Sequence, residues 1–381
     1  MGVAEVFAKM GPAPNPPAPR HVDSVPADRA AFPAPPQIVS ALSLLKNFKP
    51  IESIIDGLPV GRGGLVAITG PTGSGKTTIC TALEVALCRN LAFAGREVTQ
   101  GSVLVLAGEN PDDYTMHLAA TAQELGIDGA DLSRPKPMGS LMVVPGTFSI
   151  DYEIEYLTIE MQKFGTELVA IFVDTSAAFY GADDENDNVA MRRHASSLRE
   201  LTTLPGNPTV FVLCHPTKAA NRDNLLPRGG GAFLAEIDAN LTLWKDDSGI
   251  VTLHWAGKIR GPSFDPIQFE MVPVELAGYV DCRGRKITSV AARHVPAERA
   301  EQIVAKQLDD EDVLLVAMQR KPGGSIRDLA MQCGWTTGVG KPQSSRVERV
   351  LKALAGLGLV DQDRKRRWRL SVKGTKEADK L

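Results

Sequence analysis

A mostly parallel α/β sheet covered by helices on both faces, followed by a small helical domain, is predicted by three observations on this 381-residue chain. Short, continuously apolar runs alternate with segments of helical apolar spacing from about residue 65 to residue 215. That rhythm belongs to strands buried on both faces and joined by crossover helices. One junction in the series, Gly70 to Thr77, reads G-P-T-G-S-G-K-T. After about residue 290 the pattern changes to short helices and a charged hairpin.

The elements follow in chain order. Residues 11–36 hold nine prolines and six alanines with few large apolar groups. Such a stretch buries too little surface to offset its ordering entropy, so residues 1–37 are expected to be disordered. An apolar pattern begins at Ile38 with Val39, Leu42, Leu44 and Leu45. Leu65 to Thr69 is the first buried strand, and Thr77 to Leu87 continues with helical spacing. Ser102 to Ala107 is the next strand, with a helix around Met116 to Leu125. Leu141 to Val144, a helix around Tyr152 to Phe164, and Leu168 to Val173 extend the series. Asn188 to Leu204 places Met191, Ala195, Leu198 and Leu201 on one helical face, and Thr209 to Cys214 is again a strand. Ala239 to Trp244 and Ile250 to Trp255, joined by Asp246-Asp247-Ser248-Gly249, read as a hairpin. The core is therefore expected over 38–290 and a linker over 291–308. The final domain, 309–381, is expected to hold three helices and a basic two-stranded wing, a winged helix-turn-helix.

Bulk composition narrows the class of protein. A hydrophobic fraction of 43% with 23% charged residues is that of an ordinary globular chain. No apolar stretch reaches membrane-spanning length and no secretory leader is recognisable, so a cytoplasmic protein without a membrane partner is expected. The five cysteines form no C-x-x-C pair, which argues against zinc and against a disulfide framework. Charge is distributed unevenly. From Asp310 onward 15 Lys and Arg face 9 Asp and Glu, so that segment carries +6 while the whole chain carries −3. A basic tail on an acidic body points to an anionic partner.

Between strand and helix, Gly70, Pro71, Thr72, Gly73, Ser74, Gly75, Lys76, Thr77 and Thr78 form a phosphate-binding loop. Its glycines let successive backbone N–H groups converge on one anion, and the helix N-terminus adds partial positive charge. Lys76 is placed to reach the β- and γ-phosphates of ATP, and the Thr77 hydroxyl to meet Mg²⁺. Asp174, ending the run Val169 to Val173, stands where such ATPases keep the carboxylate that orients Mg²⁺. Hydrolysis also needs a carboxylate to polarise the attacking water, and Glu109 closes the strand after the loop helix. Both acids would project from the C-terminal ends of parallel strands, where open α/β sheets bind ligands.

The succession of phosphate loop, Gly108-Glu109, strand-Asp174, strand-His215, Gly229-Gly230-Gly231 and Lys258-x-Arg260 resembles RecA-type motor ATPases. Within them it looks most like the RepA-like branch, which includes a hexameric plasmid replicative helicase. The resemblance covers about residues 50–275 and also takes in the acidic run Asp184 to Asn188. It implies a RecA-like core in which Glu109 is the catalytic base and His215 the γ-phosphate sensor. The loop bearing Lys218, Arg222, Arg228, Gly229, Gly230 and Gly231 would contact single-stranded DNA in a central channel. Lys258 and Arg260 would reach a neighbouring subunit's nucleotide, which implies a homo-oligomer such as a hexamer. The run 183–187 reads more simply as a solvated helix cap.

The resemblance does not account for the appended domain. There Arg346 and Arg349 share one face of the expected recognition helix. Lys365, Arg366 and Arg367 crowd the wing, so duplex DNA is its expected partner. The function expected from sequence is an ATP-dependent DNA helicase using ATP and Mg²⁺. An ATP-switched DNA-binding regulator or loader, and a filament-forming recombination or repair ATPase, are the alternatives.

Overall fold

The computed structural model describes residues 38–48, 50, 52–133, 138–181, 187–218, 220–246, 248–337, 340–363 and 366–381. The expected disordered segment 1–37, residues 183–186 of the acidic run, and Arg364 and Lys365 of the wing lie outside these residues. The chain divides into two units at Pro50. The first contributes one described helix, α1 (Ala41–Lys46), capped by the Ser40 side chain, which accepts from the Ser43 N–H.

The second unit is built on a nine-stranded sheet. Its strands are β1 (Leu65–Thr69), β2 (Ser102–Ala107), β3 (Leu141–Pro145), β4 (Leu168–Asp174), β5 (Thr209–Cys214), β6 (Ala239–Lys245), β7 (Ile250–Ile259), β8 (Ile267–Val280) and β9 (Lys286–Val295). They lie side by side as β3-β2-β4-β5-β1-β6-β7-β8-β9. From β3 to β6 every pairing is parallel, and β7, β8 and β9 continue antiparallel. Such a sheet fits the core of a phosphate-loop nucleoside triphosphatase.

Alternation along each strand divides the interior in two. Val66, Ile68, Val103, Val105, Phe172 and Phe211 face α2 (Lys76–Arg89), packing with Ile79, Leu83 and Leu87. Leu65, Ala67, Leu104, Leu106, Ile171 and Val173 face the opposite way, towards α5 (Ile150–Phe164) and α6 (Asn188–Glu200). All residues of β1, β2, β4 and β5 are buried, so apolar runs without alternation are what those positions demand. Two further helices, α3 (Pro111–Glu124) and α4 (Gly129–Leu132), connect β2 to β3. Asn110 caps α3 by accepting from the Asp113 N–H, with Pro111 in the first turn where its missing N–H costs nothing. Asp187, the one described member of the acidic run, caps α6 by accepting from the N–H groups of Val189 and Ala190.

Two parts of the chain differ from expectation. The long hairpin β8–β9 did not stand out in the sequence because only some of its positions are buried and Pro273 interrupts it. The β7 pairing stops at Glu270, so Pro273 needs no donor towards β7. Residues 291–308 are not a linker: 291–295 complete β9, and α8 runs unbroken from Ala297 to Arg320. Its first turns are rich in Ala, Glu, Arg and Gln, strong helix formers that need no wide apolar face.

The second half of α8, α9 (Ile326–Gln332), α10 (Ser344–Gly356) and α11 (Val372–Ala378) surround a separate core with the hairpin β10 (Val360–Gln362) and β11 (Trp368–Leu370). Leu314, Leu315, Leu329, Val347, Val350, Leu351 and Leu354 fill it. A capping box between Ser325 and Asp328 starts α9. No helix among the described residues is long and apolar enough to cross a membrane.

Candidate functional site

The loop from Gly70 to Gly75 leaves β1 between β5 and β6 and turns directly into α2. Chain order reverses across β1, and crevices of open parallel sheets form at such points. Gly75 precedes the helix with φ of +84°, and an added Cβ would stand 2.7 Å from the Met271 Cε. Only glycine meets both conditions at no cost. No side chain caps α2, so its first N–H groups have no such partner. The Ser74 hydroxyl is buried beside them without a hydrogen-bond partner. An uncapped helix start and an orphaned hydroxyl fit an anion in the curl of the loop.

Lys76 is buried, and its Nζ donates to the carbonyls of Gly70 (2.9 Å) and Pro71 (3.2 Å). Burial holds its pKa below the ordinary lysine value, against the opposing pull of Asp174 and Glu109. The Thr77 Oγ1 donates to Asp174 Oδ2 at 2.8 Å. Burial raises the Asp174 carboxyl to about 6, with the Thr77 hydrogen bond opposing the rise. A hydroxyl and a carboxylate side by side form the hard-oxygen donor set that Mg²⁺ accepts, directly or through water.

Four strand ends meet here. Glu109 follows β2, Asp174 ends β4, His215 follows β5 and the loop follows β1. The N–H groups of Gly108 and Glu109 donate to the Asp174 carbonyl at 2.8 and 3.1 Å, fixing the first two ends together. Gly70 N–H donates to the Cys214 carbonyl at 3.2 Å, which ties the loop to β5. His215 Nε2 lies 3.9 Å from Glu109 Oε2. The sequence-predicted Lys76, Thr77, Thr78, Glu109, Asp174 and His215 thus line one cleft of about 410 Å³.

Sequence reasoning missed the cleft's other wall. Asp113 and His117 of α3 line it, with Met271 of β8 and Val290 of β9 facing them. His117 Nδ1 stands 3.3 Å from Thr78 Oγ1 and 3.1 Å from the Val290 carbonyl. The i, i+4 spacing of Asp113 and His117 directly after Glu109 was the available signal. No local signal exists for Met271 or Val290.

Beneath the loop helix, the Tyr114 hydroxyl donates to the buried Glu84 Oε2 at 2.8 Å. Burial raises Glu84 from 4.5 to about 8. The folded state therefore keeps a proton that the unfolded state releases. Stability falls as pH rises from about 4.5 to 8, by up to about 1.4 kcal/mol per unit. Glu84→Gln retains an acceptor for Tyr114 and removes the titration. Its thermal midpoint is expected to exceed that of the wild type at pH 8.5 and to approach it at pH 5. Parallel midpoint-versus-pH curves for the two proteins would refute the buried proton.

Other predicted residues lie apart from the cleft. Lys218 and Arg228 are exposed on the segment after His215, whose carbonyl accepts from the Arg228 N–H at 2.8 Å. The glycine triplet is not an open loop. Gly229 packs against Met191 with φ of +99°, and Gly230 and Gly231 open α7 (Gly230–Glu236). Three glycines in a row suggest mobility in a sequence, but here the first makes the tight entry into a helix. Lys258 ends β7 near its last residue and donates to the carbonyls of Leu234 and Ala235 at 3.0 and 2.5 Å. Arg260 Nη1 pairs with Asp238 Oδ1 at 2.8 Å, and Asp238 also accepts from the Leu65 N–H. Leu65 starts β1, so Lys258 and Arg260 lie at the opposite end of the sheet from the cleft.

The second half of α8 forms a small core with α9, α10 and α11, the C-terminal unit, within the larger of the two divisions of the chain. There Arg346 is engaged within the fold. Its Nε and Nη2 donate to the buried Asp310 at 2.9 and 2.5 Å, and its guanidinium lies 4.6 Å from the Trp335 ring centre. Arg349 is half-exposed and 3.9 Å from the same carboxylate. Arg366 and Arg367 are exposed in the β10–β11 turn, where Arg367 pairs with Asp363 at 3.0 Å. A family model described as an AAA domain matches residues 26–221, just over half of the chain. A search of curated proteins finds no match.

Proposed function

Because the chain belongs to the AAA domain family, a phosphate-loop ATPase family, we propose that it is a RecA-like DNA motor, a RepA-like replicative helicase that works as a homo-oligomeric ring such as a hexamer. The observation that carries this reading is the split of its charged groups between the two ends of the sheet. Loop, Asp174, Glu109 and His215 converge at one end, while Lys258 and Arg260 stand at the other, away from their own chain's cleft, which supports a role on a neighbour's nucleotide.

In this reading the residues of the cleft divide the work of hydrolysis. Loop N–H groups and Lys76 hold the phosphates of ATP, and Thr77 with Asp174 holds Mg²⁺, which neutralises charge on the transferred phosphoryl group. Glu109 accepts the proton of the attacking water. His215 senses the γ-phosphate, and its carbonyl bond to Arg228 N–H passes the change to the segment carrying Lys218 and α7. That segment tracks single-stranded DNA. The C-terminal unit is read as a winged helix that docks duplex DNA through the wing at Arg366 and Arg367, with Lys365 beside them in sequence.

An ATPase assay with and without single-stranded DNA, paired with strand displacement on a forked duplex, tests the reading. ATP turnover is expected to rise with the single strand and the fork to open. Lys76→Ala is expected to lower both by about 10²–10³-fold, the cost of losing one donor to transition-state charge. Wild-type turnover in a folded Lys76→Ala protein would remove the site assignment. A second reading, an ATP-switched loader or regulator, is favoured by the separate core of the appended unit. DNA-stimulated turnover without strand displacement would select it, and filaments in place of rings would select a recombination or repair ATPase.

A further inference from the structure

Beside the nucleotide cleft lies a larger one of about 1,100 Å³, between the tip of the phosphate loop and the C-terminal unit. Thr72 and Lys245 belong to one wall, Arg299 of α8 with Arg349 and Lys352 of α10 to the other, and Trp244 lines it as well. Ser345, Arg349 and Lys352 fall at i, i+4 and i+7, a stripe about 10 Å long on one helix face.

The charge of this cleft is not balanced from within. Five cations line it, these four and Arg346, against the carboxylates Asp246, Glu270 and Asp310. Asp310 is held by Arg346, and Glu270 pairs at 3.2 Å with Arg293, which lies outside the cleft. Asp246 accepts from Ser248 Oγ and the Ile250 N–H within its own turn, neutral donors that leave its charge in place, so five cations still exceed three carboxylates. Arg349 also lies 3.9 Å from Asp310, so Lys245, Arg299 and Lys352 chiefly set the positive potential along both walls.

We infer that this cleft is a nucleic-acid site that takes the phosphodiester backbone of a single strand, adjoining the nucleotide pocket and sharing Thr72, Gly73, Lys245 and Met271 with it. The cations suit a phosphate track, and Trp244 offers an indole on which a base can stack. A duplex does not suit this face. To read a major groove about 12 Å wide, α10 must enter it whole, and the phosphate loop stands opposite the helix. Sharing the loop tip couples the two sites: a strand in the cleft changes ATP affinity, and ATP changes strand affinity by the same factor.

This inference rests on the DNA-motor reading for the identity of the strand. Its test uses the full chain with Mg²⁺ and a slowly hydrolysed ATP analogue saturating, and a labelled 20-mer of dT as probe. Arg299→Gln with Arg349→Gln is expected to weaken binding at least tenfold. The plot of log K against log salt should become shallower by about 0.7 for each phosphate that is no longer neutralised. Arg299→Lys with Arg349→Lys, which keeps both charges, should restore binding and so separate charge from folding. A 5-iodouracil probe is expected to cross-link the peptide containing Trp244. Unchanged affinity in the double Gln variant, or cross-links confined to residues 215–231, would overturn the inference while leaving the DNA reading standing. Failure of the wild type to bind the 20-mer would overturn both. Displacement of the strand by inorganic tripolyphosphate at equal phosphate concentration would assign the cleft to free polyphosphate instead.

Discussion

Arg260→Ala is expected to reduce ATP turnover by about 10³–10⁵-fold, the range for a cation supplied to the transition state of phosphoryl transfer, with ATP affinity changed only a few-fold. The reason is geometric. Arg260 pairs with Asp238 beside the first residue of β1, whereas the phosphate loop follows the last. The five residues of β1 span about 17 Å. The guanidinium therefore cannot reach its own chain's γ-phosphate, so in the proposed ring it would act across a subunit boundary. Mixing Arg260→Ala with Lys76→Ala should restore part of the activity, because some interfaces then join an intact loop to an intact finger. Full turnover by a strictly monomeric wild type, or no recovery on mixing two folded variants that still assemble, would refute action in trans.

Glu109→Gln is expected to bind ATP and Mg²⁺ normally and to hydrolyse about 10²–10⁴-fold more slowly, the usual contribution of a general base. The amide keeps the size of the side chain, while Asp174 and Lys76, which serve binding, are untouched. Its carboxylate is half-exposed beside His215, open to the water that it would polarise in the proposed mechanism. Single-turnover hydrolysis measured alongside nucleotide affinity separates the two effects. Equal loss of affinity and rate would make Glu109 a binding residue, and full activity would move the base to Asp113, another carboxylate lining the cleft.

Much of the candidate site was legible because its residues are marked by neighbours in the chain. Lys76 and Thr77 sit in a glycine pattern between strand and helix, and Asp174 and Glu109 end apolar runs. A strand end is a local property, so four such ends could be named without knowing that they adjoin. What could not be read is which distant groups face them. Met271 and Val290 come from the β8–β9 hairpin, partly exposed and broken by Pro273, which leaves little periodicity to detect. Arg346 looked like a free cation on a helix face, but its partner Asp310 is 36 residues away and on another helix.

The sequence by itself determined the parallel core, the phosphate loop and its carboxylates, and the presence of a second small core after residue 308. Burial on both sheet faces requires unbroken apolar runs, and the curl around an anion requires glycine; both demands are written in consecutive residues. Tertiary structure alone decided that Lys258 and Arg260 lie at the far end of the sheet. It alone turned the cations of α10 towards the phosphate loop. Those outcomes depend on strand order and on contacts between residues tens to hundreds of positions apart, and side-chain periodicity carries no information at that range.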